Sequence, residues 1–521
     1  PPRFPKNIIE NIQIQGEQIF SAARMHDFGR FDGWVLNNGE IWFSDLNPVS
    51  GMEQNSFLFQ QASRIGFSHQ EIILHIVNSA ARRQGLAEIR HNAPTTSRKP
   101  VHVLFGGSTS ERQVSLMSGT NVWLKLLKSK KYIPHPYLLA PNGEVWKVPY
   151  YLLLNHTVEE IVDNCLSAVS NNELLKEFQR GARLKIGLSE TEQSAEELPE
   201  SLMLEDFIKT SPFVFLGLHG GIGENGEIQS MLEKNHIKFN GSGSQTSGLC
   251  IDKHKTNLAI EELHLPSVST TLGISLKAGE LFTLSNRQIR QVWKSSVDSL
   301  KTRSTIVKPE RDGCSTGIVR LYSSDDFQEY LDILKSGVAR IHPFTFKGQE
   351  TPIEMPTQNF PHLLLEAFIE TDEVKIKNKK IKHKVRSSWI EITVGAMQTA
   401  GGFKIFSPSL TIAEGNVLSV EEKFQGGTGV NITPPPDTIV KRETIEKVKK
   451  HVGAVFSGLK ISGYGRIDCF MNTETGNIKI IEVNTLPGLT PSTVFFHQAL
   501  AEKPPVYPRE LLEKIISEAG Y

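Results

Sequence analysis

Residues 463–488 read GYGRIDCFMNTETGNIKIIEVNTLPG. Within them, residues 477–484 alternate with the period of a half-buried strand, and residues 467–471 form a second apolar run. Residues 473–477, with Gly476 inside, carry turn chemistry, so the stretch predicts a β-hairpin. Side chains two positions apart share one face of a strand. Glu482 and Asn484 therefore share a face, and strand pairing can bring Asp468 onto it, with Arg466 beside Asp468. Two carboxylates and an amide oxygen suit a hard cation that travels with phosphates, Mg²⁺ or Mn²⁺. Arg466 adds a planar cationic fork at the same place. The bare spacing fits an ordinary hairpin with a solvated acidic face equally well. What favours the metal reading is the Asn484-Thr485-Leu486-Pro487-Gly488 that follows, with Arg466 ahead.

The totals set the frame. A chain of 521 residues, 39% hydrophobic, buries a large core and is expected to hold three or four domains. Basic and acidic residues balance at 57 each, so no global field argues for a nucleic-acid or membrane partner. Cys165, Cys250, Cys314 and Cys469 are far apart with no CxxC spacing, which fits reduced thiols better than a disulfide framework. No apolar run approaches a membrane span. The opening at Pro1, without methionine or a signal-peptide pattern, gives the expectation of a fragment or processed form.

The first 95 residues repeat the hairpin pattern. Gly29-Arg30-Phe31-Asp32-Gly33 matches Gly465-Arg466-Ile467-Asp468-Cys469, and Ile41, Asp45 and Asn47 fall on Ile478, Glu482 and Asn484. Asp32, Asp45 and Asn47 thus form a second candidate triad. Too little chain precedes it to complete a nucleotide site, so the segment is expected not to catalyse by itself. Residues 63–86 read as amphipathic helix, and residues 95–100 as a linker ending in Pro100.

Arg466-Ile467-Asp468 followed by Glu482-Val483-Asn484-Thr485-Leu486-Pro487-Gly488 resembles the metal-binding end of the ATP-grasp carboxylate–amine ligases, most closely the D-alanine–D-alanine ligase family. The family has an aliphatic residue at Cys469. Further segments extend the likeness from about Val101 to Glu518. GGSTSERQVSL, residues 106–116, resembles the family's first-substrate segment. Glu111 would there hold the ammonium of the first D-alanine, with Val114 and Ser115 lining the pocket. HGGIGENGEIQS, residues 219–230, matches a family signature whose histidine, here His219, lies beside the first D-alanine's carboxylate. Lys253 and Lys308 align with phosphate-binding lysines. Residues 311–317, including Cys314 and Ser315, resemble a loop that covers phosphates. Serine is usual at Cys314, and a thiol donates more weakly. Glu366 and Ile369 lie in the segment resembling the hinge whose backbone reads adenine, and Glu391 aligns with the residue that holds ribose hydroxyls. Lys423 would contact the γ-phosphate beneath a loop at residues 426–429.

The resemblance implies an α/β chain with α+β lobes: an ATP-grasp fold preceded by a Rossmann-like domain. Expected boundaries are residues 1–95, the remnant of an upstream copy; 98–250, with a helical insertion at about 140–210; 251–362, a central lobe; and 363–521, the lobe with the metal site. It implies phosphoryl transfer from ATP to D-alanine, then attack by a second D-alanine on the acylphosphate. Arg466 and the Gly488 N–H would stabilise the oxyanion, with Glu111 and Ser115 completing the catalytic set. Thr493, where the family has serine, would help bind the second substrate's carboxylate. Phe424 replaces a tyrosine, losing one hydrogen bond of about 0.5–1.5 kcal/mol. In relatives that change goes with D-lactate as acceptor, so a D-alanine–D-lactate ligase is the alternative, and a non-catalytic ATP-grasp module a third reading. A homodimer is expected from the family, as is a cytoplasmic site, or plastid stroma if the tandem is of the plant kind. The lysine-rich residues 374–386 read as a solvated loop rather than a nucleic-acid patch.

Overall fold

The computed structural model describes residues 4–89, 97–168, 173–185, 198–271, 273–311, 316–355, 361–377, 380–412 and 430–521. The chain divides into two compact units, residues 1–97 with 145–202, and residues 98–144 with 203–521.

In the first unit, the helix Lys6–Ala22 precedes a hairpin, Arg30–Val35 with Ile41–Asn47, and the helices Phe57–Arg64 and His69–Arg83. Gly39 takes φ 85° in the hairpin turn, where Asn38 Oδ1 accepts from Glu40 N–H (3.0 Å). Ser68 and Glu71 form a reciprocal cap on the helix His69–Arg83. The expected insertion supplies the rest of this unit. The Arg183 side chain, 7% exposed, donates to Gly66 O (2.8 Å) and pairs with Glu71 (3.3 Å). Tyr150 Oη accepts from His69 N–H (2.8 Å), and Phe59 stacks on the His69 ring. His156 sits between Asn55 and Gln60, 2.9 Å from each. Tyr150, His156 and Arg183, all within residues 145–202, therefore pack with the N-terminal segment.

The second unit is built on three larger sheets, with two small two-stranded ones beside them. Lys99–Gly106 pairs in parallel with Tyr132–Leu139 on one side and Phe213–Leu216 on the other, and Lys238–Phe239 continues the sheet. Val101, Val103, Leu104 and Phe105 are completely buried, as a central parallel strand requires. The helix Arg112–Leu126 presses onto that strand at Gly119, where a Cβ would lie 2.2 Å from the Phe105 ring. The central lobe is an antiparallel sheet in the order Gly273–Lys277, His362–Ala367, Thr305–Pro309, Val319–Leu321. Its core joins Trp293, Phe327 and Tyr330 from two helices to Val307 and Leu365. In the last sheet Trp389–Thr399 pairs with Tyr464–Asn472, which pairs with Ile478–Asn484, which pairs with Val268–Thr270. The helix Arg442–Gly458 covers it through Val448, Val452 and Val455. Residues 374–386 include an antiparallel pair, Glu373–Lys377 with Lys380–Lys384. Among the described residues, no helix is long and apolar enough to cross a membrane.

Candidate functional site

The hairpin that opened the sequence reading is present. Arg466 lies opposite Asn484 and Asp468 opposite Glu482, and a bulge follows Asp468. The register puts Asp468, Glu482 and Asn484 on one face. Arg466 Nε donates to Asp468 Oδ1 (3.1 Å) and its Nη2 to Oδ2 (2.8 Å). Thr393, on the neighbouring strand, donates its hydroxyl to Asp468 Oδ1 (2.9 Å). Glu482 accepts from Asn484 Nδ2 (3.4 Å), and Lys253 Nζ lies 3.8 Å from its other oxygen. Among the described residues no cluster of three or more His, Cys, Asp or Glu is arranged around a metal position. The set here is two carboxylates and one amide, all hard oxygen donors, flanked by two cations. That donor chemistry fits Mg²⁺ or Mn²⁺ shared with phosphate oxygens.

The N-terminal hairpin repeats this geometry. Arg30 lies opposite Asn47 and Asp32 opposite Asp45, and its bulge also follows the aspartate. Arg30 pairs with Asp32 (3.0 Å), and Asn47 Nδ2 donates to Asp45 (3.0 Å). The surroundings differ. Among the described residues this sheet has two strands, and the Asp32 side chain is 46% exposed against 11% for Asp468.

On the nucleotide side, Lys308 and Glu366 form a buried pair at 2.6 Å, their side chains 4% and 5% exposed. Thr271 donates its hydroxyl to Glu366 (2.8 Å). The Glu366 carboxylate thus serves Lys308, while its backbone lies mid-sheet between Gly273 and Ile306. Ile369 follows the strand end and is half-buried. Lys253 opens the helix Lys253–Glu262, which Asp252 caps by accepting from Lys255 N–H (3.0 Å). Glu391 is exposed, two residues before Thr393 and so on the same strand face. Cys314, Ser315, Lys423, Phe424 and the loop 426–429 lie outside the described residues.

At the C-terminal ends of the parallel strands, a cleft is lined by Gly107, Ser108, Thr109, His219, Gly220 and Ile222, among others. The Glu111 carboxylate reaches Gly220, where φ is 67° and a Cβ would stand 2.6 Å from Glu111 Oε2. Only glycine meets both conditions. Ser115 has a different place from the one the resemblance implies. Its hydroxyl is fully buried, donates to Gly217 O (2.9 Å) and accepts from Gly106 N–H (2.7 Å). It ties two strand ends together beneath the cleft. Val114 is buried beside it. His219 Nε2 is 2.9 Å from Ser118 Oγ, and Nδ1 is 3.4 Å from Glu224 Oε1.

The loop after the hairpin arrives at the same place. Leu489 N–H donates to Ser118 Oγ (3.1 Å), and Asn121 Nδ2 donates to Leu489 O (2.8 Å). Thr493 donates its one hydroxyl proton to Gly488 O (2.7 Å), so in this geometry it fixes the Gly488 peptide rather than reaching for a carboxylate. Ser118, Asn121, Thr271 and Thr393 escaped the sequence reading. Only the helical spacing of Ser118 from Glu111 and Ser115 hinted at any of them.

A family model described as "D-ala D-ala ligase N-terminus" matches residues 100–242. A second, "D-ala D-ala ligase C-terminus", matches residues 1–78 and 362–517. The chain is 24% identical over 426 residues to the D-alanine–D-alanine ligase of Ruminiclostridium cellulolyticum, covering 81% of this chain and 96% of the relative. It is 26% identical over 411 residues to that of Pediococcus pentosaceus, covering 77% and 92%. Two solved structures share the fold: the D-alanine–D-alanine ligase of Coxiella burnetii (TM-score 0.52, 16% identity, 81% of this chain and 95% of that one) and a D-Ala:D-Ser ligase of Enterococcus faecalis (TM-score 0.51, 17% identity, 81% and 100%). The three-sheet arrangement is accordingly an ATP-grasp fold behind a Rossmann-like domain.

Proposed function

The chain belongs to the D-alanine–D-alanine ligase family, ATP-dependent and ADP-forming, and on that premise we propose how its residues join two D-alanines. The observation that carries the reading is the convergence of Asp468, Glu482, Asn484, Arg466 and Lys253 on one face of the Gly463–Gly488 stretch.

Asp468, Glu482 and Asn484 would hold Mg²⁺ or Mn²⁺, which when bound neutralises charge on the phosphates. The first D-alanine sits in the cleft, its ammonium toward Glu111 and its carboxylate near His219. Its carboxylate oxygen attacks the γ-phosphorus of ATP, the bond to the β–γ bridging oxygen breaks, and ADP leaves. Lys253 and Lys308 offset the phosphate charge, and the resemblance assigns Lys423, Cys314 and Ser315 to the same phosphates. Glu366 and Ile369 belong to the adenine hinge and Glu391 to the ribose end. The amine of the second D-alanine then adds to the acyl carbon, Arg466 and the Gly488 N–H face the oxyanion, and inorganic phosphate departs. Ser115 supports this site as a strut.

Phosphate release with ATP and Mg²⁺, with products identified by mass, tests the reading. D-alanine alone should give D-alanyl-D-alanine. A second reading rests on Phe424: with D-lactate added, D-alanyl-D-lactate would make that residue the acceptor determinant. No product from either acceptor refutes both. We further propose that residues 1–95 derive from an upstream copy, on the grounds that the C-terminal family model matches both regions and the two hairpins share register and bulge. The domain boundaries given above are proposed in the same way, as are dimerisation and a reducing compartment, which the buried free thiols Cys165, Cys250 and Cys469 favour. The relatives named above are bacterial and lend a plastid site no support.

A further inference from the structure

The helix Arg112–Leu126 touches both ends of the proposed reaction. Glu111, at its N-cap position, stands at the first-substrate cleft. About two and about three turns on, Ser118 and Asn121 reach the loop that carries Gly488. Ser118 is fully buried, yet its single oxygen meets two groups remote in sequence: His219, 101 residues away, and the Leu489 amide, 371 residues away. Because Leu489 N–H donates to Ser118 Oγ, the serine proton is available to His219 Nε2. That directs the His219 Nδ1 proton toward Glu224. Asn121 takes the next carbonyl, Leu489 O, and Thr493 holds Gly488 O from the other side. The peptide immediately after the Gly488 N–H is thereby held at both its oxygen and its nitrogen.

We propose that Ser118 and Asn121 are positioning residues that align the oxyanion-binding Gly488 loop with the first-substrate site; the proposal rests on the ligase reading above. Neither touches a reacting atom. Ser118 links the histidine at the first D-alanine to the loop that receives the second step, and Asn121 sets the loop's height on the same helix. Gly119 between them lets the helix lie close against the sheet, so the spacing between the two ends is set by rigid elements rather than by a loop. Acylphosphate formation depends on the cleft and the nucleotide. Amide formation depends in addition on where Gly488 sits. A displaced loop therefore leaves D-alanyl phosphate waiting. Water then adds to its acyl carbon, the acyl C–O bond breaks, and D-alanine and phosphate are released without dipeptide.

The test uses the full chain and measures ADP and D-alanyl-D-alanine in the same reaction. The unaltered protein is expected to give about one ADP per dipeptide. Ser118→Ala is expected to slow dipeptide formation about ten-fold, slow ADP release less, and so raise the ratio several-fold. The KM for the first D-alanine should rise with it, because His219 loses its partner. Ser118→Thr, which keeps the hydroxyl, should bring the ratio back toward one. Asn121→Ala should raise the ratio while leaving the first-site KM unchanged, and carries the test alone if Ser118→Ala does not fold. Rates that fall together at a constant ratio in both Ala variants, or do not change, overturn the proposal. An unaltered protein that forms neither product overturns the ligase reading itself, a failure that the control separates from the other.

Discussion

Lys308 and Glu366 offer the sharpest energetic test of the nucleotide side. Their charged atoms lie 2.6 Å apart, with side chains only 4% and 5% exposed, and Thr271 satisfies a second position on the carboxylate. Removing one partner of such a pair leaves an uncompensated charge in the interior, which costs about 3–5 kcal/mol, whereas replacing both by apolar groups of similar volume is commonly neutral. Glu366→Ala should therefore destabilise the central lobe by about 3–5 kcal/mol. Lys308→Met with Glu366→Leu should recover most of that loss. Hydrogen exchange at the strand Thr305–Pro309 reads the lobe locally, which matters because a chain of several domains has no single unfolding free energy. ATP adds a second readout. If Lys308 serves the phosphates, ATP should protect the lobe in Glu366→Ala more than in the unaltered protein, and protect the double variant hardly at all. The reasoning fails if Glu366→Ala costs under about 1 kcal/mol, the range of an exposed pair. It fails as well if the double variant binds ATP undiminished.

Four further outcomes are expected. Thr393→Val removes the hydroxyl that orients Asp468, and the Mn²⁺ concentration for half-maximal turnover should rise about 10–100-fold; an unchanged titration would detach that face from the metal. Gly220→Ala forces a side chain into φ 67° and against the Glu111 carboxylate, so the KM for D-alanine should rise by the equivalent of about 1–3 kcal/mol, with ATP binding little changed. Burial alone would raise the Asp372 pKa, but the N–H groups of Arg386, Ser387 and Ser388, with His383, hold it below the ordinary value. Its stabilisation is thus present above about pH 3.9 and lost as pH falls through the lower folded value, and melting of Asp372→Asn should differ from the unaltered protein at pH 7 but converge at low pH. Burial pushes the Cys165 and Cys250 thiols up to about 12 and Cys469 higher still, so peptide mapping after alkylation at pH 8 should find all three unmodified in the native protein.

What could be read from the sequence followed the range of the forces involved. The Gly463–Gly488 hairpin was legible because alternation and turn chemistry act over a few residues, and they place Asp468, Glu482 and Asn484 on one face without reference to the rest of the chain. The bulge after Asp468 left no local mark. The Gly106–Glu111 turn and the His219–Gly221 run were legible as motifs, but Ser115 was not, because a hydroxyl at that spacing serves a pocket or a strut equally well, and the distant Gly217 carbonyl decides. Glu366 was read for its backbone, while its side chain answers to Lys308 across the sheet. The gathering of residues 145–202 with the N-terminal segment depends on a few long-range partners, Arg183 with Gly66 and Tyr150 with His69, which no periodicity announces.

The matched bulges of the two hairpins bear on how the chain folds. Tyr464–Asn472 and Arg30–Val35 offer the same order of backbone donors and acceptors, and the strand Trp389–Thr399 needs one such edge to complete its sheet. Synthesis delivers the N-terminal hairpin first, so until residues 464–484 emerge the earlier hairpin is the edge at hand. Repeated elements within one chain are a known route to misassembly. The side chains of the two hairpins differ in a way that opposes it: Trp34 and Trp42, exposed by 63% and 55%, stand where the later hairpin has Phe470 and Lys479, and Gly33 stands where it buries Cys469. The two hairpins thus share backbone register and differ in the side chains that would have to be buried against that strand.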